Sequence, residues 1–158
     1  MTIMTSRFGA VEFEEERIVR MIKGLPGLEE LTSYVLIKAE ETRPIVWLQS
    51  TEDPAVALPM IYTFEIIEEY AFDVQDEEIA ALSIQKPEEL MVLTVVVLTE
   101  DLAQMTANLV APVLINMRTG QGCQVLLDQP QYSTKTPILE RIVAFMQKEG
   151  AANAGANP

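Results

Sequence analysis

The chain has 158 residues and carries 24 Asp and Glu against 11 Lys and Arg, a net charge of -13 at pH 7. That length suits one domain with a core that needs neither disulfides nor metal, and the charge opposes binding to phosphate backbones or anionic membrane surfaces. Histidine is absent, which excludes Ser-His-Asp and Cys-His chemistry, and the single cysteine, Cys123, cannot form an internal disulfide.

From the N-terminus, Met1 to Arg7 and Ala10 to Glu14 read as a hairpin around Phe8-Gly9, with Val11 and Phe13 on one face and Glu12 and Glu14 on the other. No charged segment followed by an apolar one opens the chain, so no secretory signal is expected there. Ile18 to Ile22 is a strand closed by the tight turn "KGLPGLEE". Further strands follow at Tyr34 to Lys38, Ile45 to Gln49, Val56 to Tyr62, Met91 to Leu98, Val113 to Met117 and Cys123 to Leu127, the last two joined by the loop "RTGQG". Pro59 cannot donate to a ladder, which predicts an edge or a bulge there.

Two helices are predicted. Asp76 to Ile84 starts with carboxylates at the positive end of its dipole, with Ile79, Leu82 and Ala80 facing inward. Near the C-terminus Thr136 can cap, Pro137 can take the first helical position, and Ile138, Ile142, Phe145 and Met146 recur at helical spacing. The tail "GAANAGANP" has almost nothing to bury and is expected to be disordered. The longest apolar run, Leu90 to Leu98, is about half of what a membrane helix needs, so a cytoplasmic protein with no membrane partner is expected. The predicted class is mainly β: a small antiparallel β-barrel-like single domain with one or two short peripheral helices, closure removing exposed strand edges.

Several motifs have a chemical and an ordinary reading. "SIQK", Ser83 to Lys86, spells the S-x-x-K of serine acyl-enzymes, but neither companion motif of those enzymes is present. Between Arg43 and Lys86 lie nine acids and no base: Glu52, Asp53, Glu65, Glu68, Glu69, Asp73, Asp76, Glu77 and Glu78. Singly each is a solvated carboxylate; together they would speed encounter with a basic partner. Paired carboxylates could also serve an acidic β-barrel hydrolase, the competing reading, although no aromatic sugar platform accompanies them and Trp47 is the only tryptophan. "DVQDEE" lacks the spacing and the glycine of a calcium loop, so neither metal nor cofactor is expected. Alternation of Cys123 with Val125 and Leu127 marks an inert core thiol. In "QSTEDP" the proline presets a polar turn, and in "MTANLVAP" Thr106 and Asn108 can bond nearby backbone while Pro112 extends Ala111.

These stretches carry a resemblance to a known family. "TSRFGAVEFEEERIVRMIKGLPGLEEL", "VWLQSTEDPAVAL", "MTANLVAPVLIN" and "GCQVLLDQPQYSTKTPI" resemble, in order and spacing, the bacterial flagellar assembly factor FliW. The resemblance implies a barrel-like fold over residues 1–136, followed here by a helix at 137–148 and the tail at 149–158. It implies no catalytic activity and two protein partners, flagellin and the RNA-binding translational repressor CsrA, which FliW proteins antagonise. Direct contact with nucleic acid is not expected. Combined with the acidic stretch and the two shaped loops, it directs attention to Gln49, Ser50, Asp53, Pro54, Glu65, Glu68, Glu69, Asp73, Met105, Thr106 and Asn108 as partner-binding residues. Leu28, Gln121 and Cys123 depart from the family's usual pattern.

Overall fold

A computed structural model describes residues 1–156. Its strands are β1 (Thr2–Thr5), β2 (Gly9–Glu12), β3 (Val19–Met21), β4 (Ser33–Lys38), β5 (Val46–Ser50), β6 (Ala57–Tyr62), β7 (Leu90–Val97), β8 (Thr106–Ala107), β9 (Val113–Asn116), β10 (Gln121–Gln124) and β11 (Thr136–Pro137). Its α-helices are α1 (Thr63–Ile66), α2 (Asp76–Ala81) and α3 (Leu139–Ala156). β1 and β2 form a separate hairpin. The others make one sheet in the order β11-β8-β7-β6-β5-β4-β3-β10-β9, and a further pairing of β7 with β9 closes seven of them into a barrel. Every pairing is antiparallel except β3 with β10, which is parallel.

Closure gives the sheet an inside and an outside, and the two-residue period of each strand sorts its side chains between them. Val19, Tyr34, Val46, Leu48, Met60, Leu93, Val113 and Ile115 come from six barrel strands and form the inner core. Leu25, Leu28 and Leu31, from the segment after β3, pack onto it. β10 contributes Gly122, where a Cβ would sit 3.1 Å from the Met21 sulfur and 3.3 Å from a Val19 methyl, so the larger neighbours fill its place. The outer face buries Trp47, Ile61, Val92, Leu114 and Cys123 beneath Ile66, Ile67, Tyr70, Leu82, Ile138 and Ile142 of the helices and connecting segments. Phe8 of the hairpin meets Trp47 edge-on at 5.7 Å, and the Arg7 guanidinium lies 4.3 Å from the indole centroid.

Pro59 is not at an edge: β6 lies between β5 and β7. Its partner on β5 is Trp47, while the register with β7 runs only over Met60 to Tyr62, so the missing N–H falls beyond that ladder. Thr136 and Pro137 do not start a helix. They pair with Ala107 and Thr106 of β8, and α3 begins two residues later and continues through the stretch 149–156 expected to be disordered; residues 157 and 158 lie outside the described part. α2 stops at Ala81, and β10 spans Gln121–Gln124 rather than Cys123 to Leu127.

The turn from β9 to β10 contains Gly120 at φ +80°, and a Cβ there would lie 2.5 Å from the Ile18 carbonyl oxygen. Gly120→Ala is therefore expected to destabilise the fold by about 1–3 kcal/mol through the left-handed backbone and the backbone clash. Urea denaturation of the two proteins measures it, and equal midpoints would contradict this account.

Candidate protein-binding site

In the loop after β5, the polar side chains serve the loop itself. Ser50 is buried and its Oγ accepts from the Glu52 and Asp53 amides at 3.0 and 2.9 Å. Asp53 Oδ1 accepts from the Ala55 amide, and the Pro54 carbonyl accepts from the Ser6 amide of the hairpin at 2.9 Å. Gln49 is fully buried; its Nε2 donates to the Ser50 carbonyl at 3.0 Å and reaches those of Asp53 and Pro54 at 3.5 and 3.4 Å, while Oε1 has no partner among the described residues. Glu52 reaches across to β4 and accepts from the Thr32 and Ser33 amides, both at 2.8 Å. Those two bonds hold its carboxyl below the ordinary value of 4.5.

The segment Met105 to Pro112 is equally committed. Met105 is buried and its carbonyl accepts from the Ile138 amide. Thr106 stands opposite Val97 and Pro137 in the small sheet, while Asn108 Oδ1 accepts from the Val110 amide at 3.1 Å in a local turn. The Leu109 carbonyl accepts from the buried Tyr70 hydroxyl at 2.7 Å, and desolvation raises that phenol's pKa. Tyr70 also packs against Phe72 and Tyr132. Asn108 therefore bonds backbone as its residue type predicts, while Thr106 acts through its strand position.

Asn116, at the end of "VLIN", is the residue sequence reasoning missed. It is fully buried; Nδ2 donates to the Leu82 and Ser83 carbonyls at 2.8 and 3.3 Å, and Oδ1 accepts from the Arg118 and Thr119 amides at 2.8 and 3.3 Å. One amide thus ties the end of α2 to the β9–β10 turn. The signal was available: a polar residue in strand register inside an apolar run must bring its own partners. Ser83, at φ +56°, supplies carbonyl bonds to Asn116 and Arg118 rather than a nucleophile.

The exposed acids behave differently. Glu65, Glu68 and Glu69 lie at or just beyond α1, opposite α3. Lys148 donates to Glu68 at 3.0 Å, and Arg141 contacts Glu69 at 2.5 Å. The Arg141 hydrogen bond lowers the pKa of Glu69. The stretch that is purely acidic in sequence is thus partly neutralised by bases of α3, far along the chain. Glu65 and Asp73 form no ion pair among the described residues. Met105 sits near this region because Ile138 leads directly into α3, whereas Gln49, Ser50, Asp53 and Pro54 lie by the N-terminal hairpin.

Among the described residues no group of three or more Cys, Asp and Glu side chains could hold a metal ion, and no helix is long and apolar enough to cross a membrane. Burial also raises the Cys123 thiol pKa, which makes it less reactive. A closed barrel with its loop polar groups consumed in holding shape and its acids displayed outward defines a binding scaffold. The sequence model of the FliW protein family matches residues 2–138, and the chain belongs to that family. It is 38% identical to the flagellar assembly factor FliW of Caldicellulosiruptor saccharolyticus, over 93% of this chain and 97% of that one. The corresponding factor of Alkaliphilus metalliredigens is 34% identical over 99% and 97%. A crystal structure of the flagellar assembly factor FliW superposes with a TM-score of 0.81 at 31% identity, covering 87% of this chain and 96% of that chain. Membership of that family places the protein among those implicated in flagellar assembly.

Asn116→Ala removes a partner of the buried Leu82 carbonyl and the part-buried bonds to the Ser83 carbonyl and the Arg118 and Thr119 amides, and a loss of about 2–4 kcal/mol is expected. Asn108→Ala, which removes one half-exposed bond, is expected to cost about 1 kcal/mol. Chemical denaturation should rank them in that order. Because Glu52 has a lowered pKa in the fold, its contribution is present above the unfolded value and lost as pH falls through the folded one. The stability gap between wild type and Glu52→Gln should therefore narrow as pH falls through and below the ordinary carboxylate range. A gap independent of pH would show that the carboxylate's charge contributes nothing.

Proposed function

We propose that this protein binds flagellin in the cytoplasm and, when flagellin is exported, binds and antagonises the RNA-binding translational repressor CsrA, relieving repression of flagellin synthesis. The observation that carries the reading is the family match over residues 2–138, which takes in the whole barrel. The net charge of -13 supports it: a protein this acidic opposes an RNA-binding protein's effect by engaging the protein and not the RNA. In this reading Glu65, Glu68, Glu69 and Asp73, with Asp53 and Pro54 at the other loop, are exposed enough for contact. Gln49, Ser50, Met105, Thr106 and Asn108 act by holding the surface in shape.

Purified protein is expected to bind CsrA and weaken its RNA complex without shifting labelled RNA itself; a shift by this protein alone at physiological salt would overturn the reading. Competition is the second readout. Titrating CsrA into the flagellin complex should release flagellin, since negative coupling between two ligands is reciprocal, and co-elution of all three at saturation would remove the switch. The unpaired acids offer a third. Glu65→Lys with Asp73→Lys should lower the association rate with CsrA roughly fivefold and flatten its salt dependence with the melting temperature unchanged. An unchanged on-rate in stopped-flow would return these acids to the role of solvated surface.

A further inference from the structure

The two ends of the barrel are not alike. The segment carrying Leu25, Leu28 and Leu31 packs onto the inner core, but none of these three lines the groove of about 630 Å³ that opens at the mouth. Inner-face residues of five strands reach that groove: Val19, Leu36, Tyr62, Met91 and Ile115. Leu36, Tyr62 and Met91 are only half-buried, whereas Leu48, Met60, Leu93 and Val113 deeper in the barrel have no exposure. Val11 and Phe13 of the N-terminal hairpin make one wall, and Met117, 53% exposed, contributes to the lip.

The chemistry of the groove selects an occupant. Asn116 also lines it, but both atoms of its amide are already engaged by Leu82, Ser83, Arg118 and Thr119. A small polar ligand would find that group unavailable for orientation, whereas apolar side chains find a half-wetted apolar floor. Around it stand Glu12, Glu14 and Glu16, none of which forms an ion pair among the described residues. Of the two bases that line the groove, Arg17 and Lys38, the second lies 5.4 Å over the Tyr62 ring. A second copy of this chain would bring one surface of a molecule of charge -13 against another, which repulsion opposes.

We propose that the open barrel mouth seats an amphipathic segment of the basic protein partner, its apolar side chains on the floor and its Lys or Arg residues against Glu12, Glu14 and Glu16. This deepens the reading given above and rests on it, the partner being the RNA-binding repressor. Floor contacts supply affinity, and the rim carboxylates set orientation and exclude acidic segments.

The test uses the full chain and purified CsrA. Calorimetric titration is made with wild type, Met117→Asp, Glu14→Lys with Glu16→Lys, and Leu126→Asp as a control, Leu126 being 81% exposed and not part of the groove. Hydrogen exchange of the wild-type complex locates the contact. Expected are a weakening of about tenfold or more for Met117→Asp and for the double lysine variant, the latter shrinking at high salt, no change for the control, and protection at β2, β4 and the β9–β10 turn. Tight wild-type binding with both groove variants unaffected, or with protection elsewhere, overturns the groove and leaves the binding reading standing. No binding by wild type overturns both. Thermal melts of each variant show whether lost affinity reflects lost fold.

Discussion

Everything in this fold depends on β7 being hydrogen-bonded along both edges. Leu90 to Leu93 pair with β9, Leu93 to Val95 pair with β6, and Val96 and Val97 turn to β8. The first two pairings close the barrel and the third begins the short outer extension that leads through β11 into α3. An open sheet of these strands would present two unsatisfied edges and an apolar face to water. Closure removes both liabilities and creates two cores from one sheet, so that alternate residues of the same strand, Trp47 and Leu48 for instance, are buried on opposite sides.

That double burial explains which parts of the structure were legible. The barrel strands stand out because apolar residues fill both faces and turn residues punctuate them. Pro59 misled because a proline reads as an edge wherever the neighbouring strand is assumed to run alongside it, and only the three-dimensional register shows that β7 has parted from β6 there. β8 and β11 are two-residue strands with no periodicity to detect, made by tertiary pairing alone. Thr136-Pro137 has the composition of a helix start, but the demand for partners from β8 outweighed it. α1, at four residues, is too short to show an amphipathic pattern and is held by Thr63 and Ile66 beneath it.

The candidate site divides along the same line. Residue type alone says that Ser50, Asp53 and Asn108 will bond nearby backbone, and they do, because such bonds are local. What type cannot say is that Glu68 and Glu69 face Lys148 and Arg141, since those pairs join positions far apart in the chain. These exposed pairs are individually weak, about 1 kcal/mol at most; their effect is on the field, which they reduce near α1, whereas Glu12, Glu14 and Glu16 form no ion pair among the described residues. Where a basic partner is drawn is decided by that imbalance as much as by the total charge.

Under the proposed switch, flagellin and CsrA exclude one another, and the surface area available constrains how. The protein exposes 9549 Å², and a standard interface takes roughly 800 Å² from each partner, so area alone would let two proteins bind together. Exclusion must then come from overlap on one patch or from a change of shape passed between two. A barrel closed by continuous pairing and packed on both faces has few alternative arrangements of similar energy, and a ligand can shift only an equilibrium that exists. Overlap is therefore the mechanism this architecture favours, and mutual exclusion would follow from steric competition without any conformational relay.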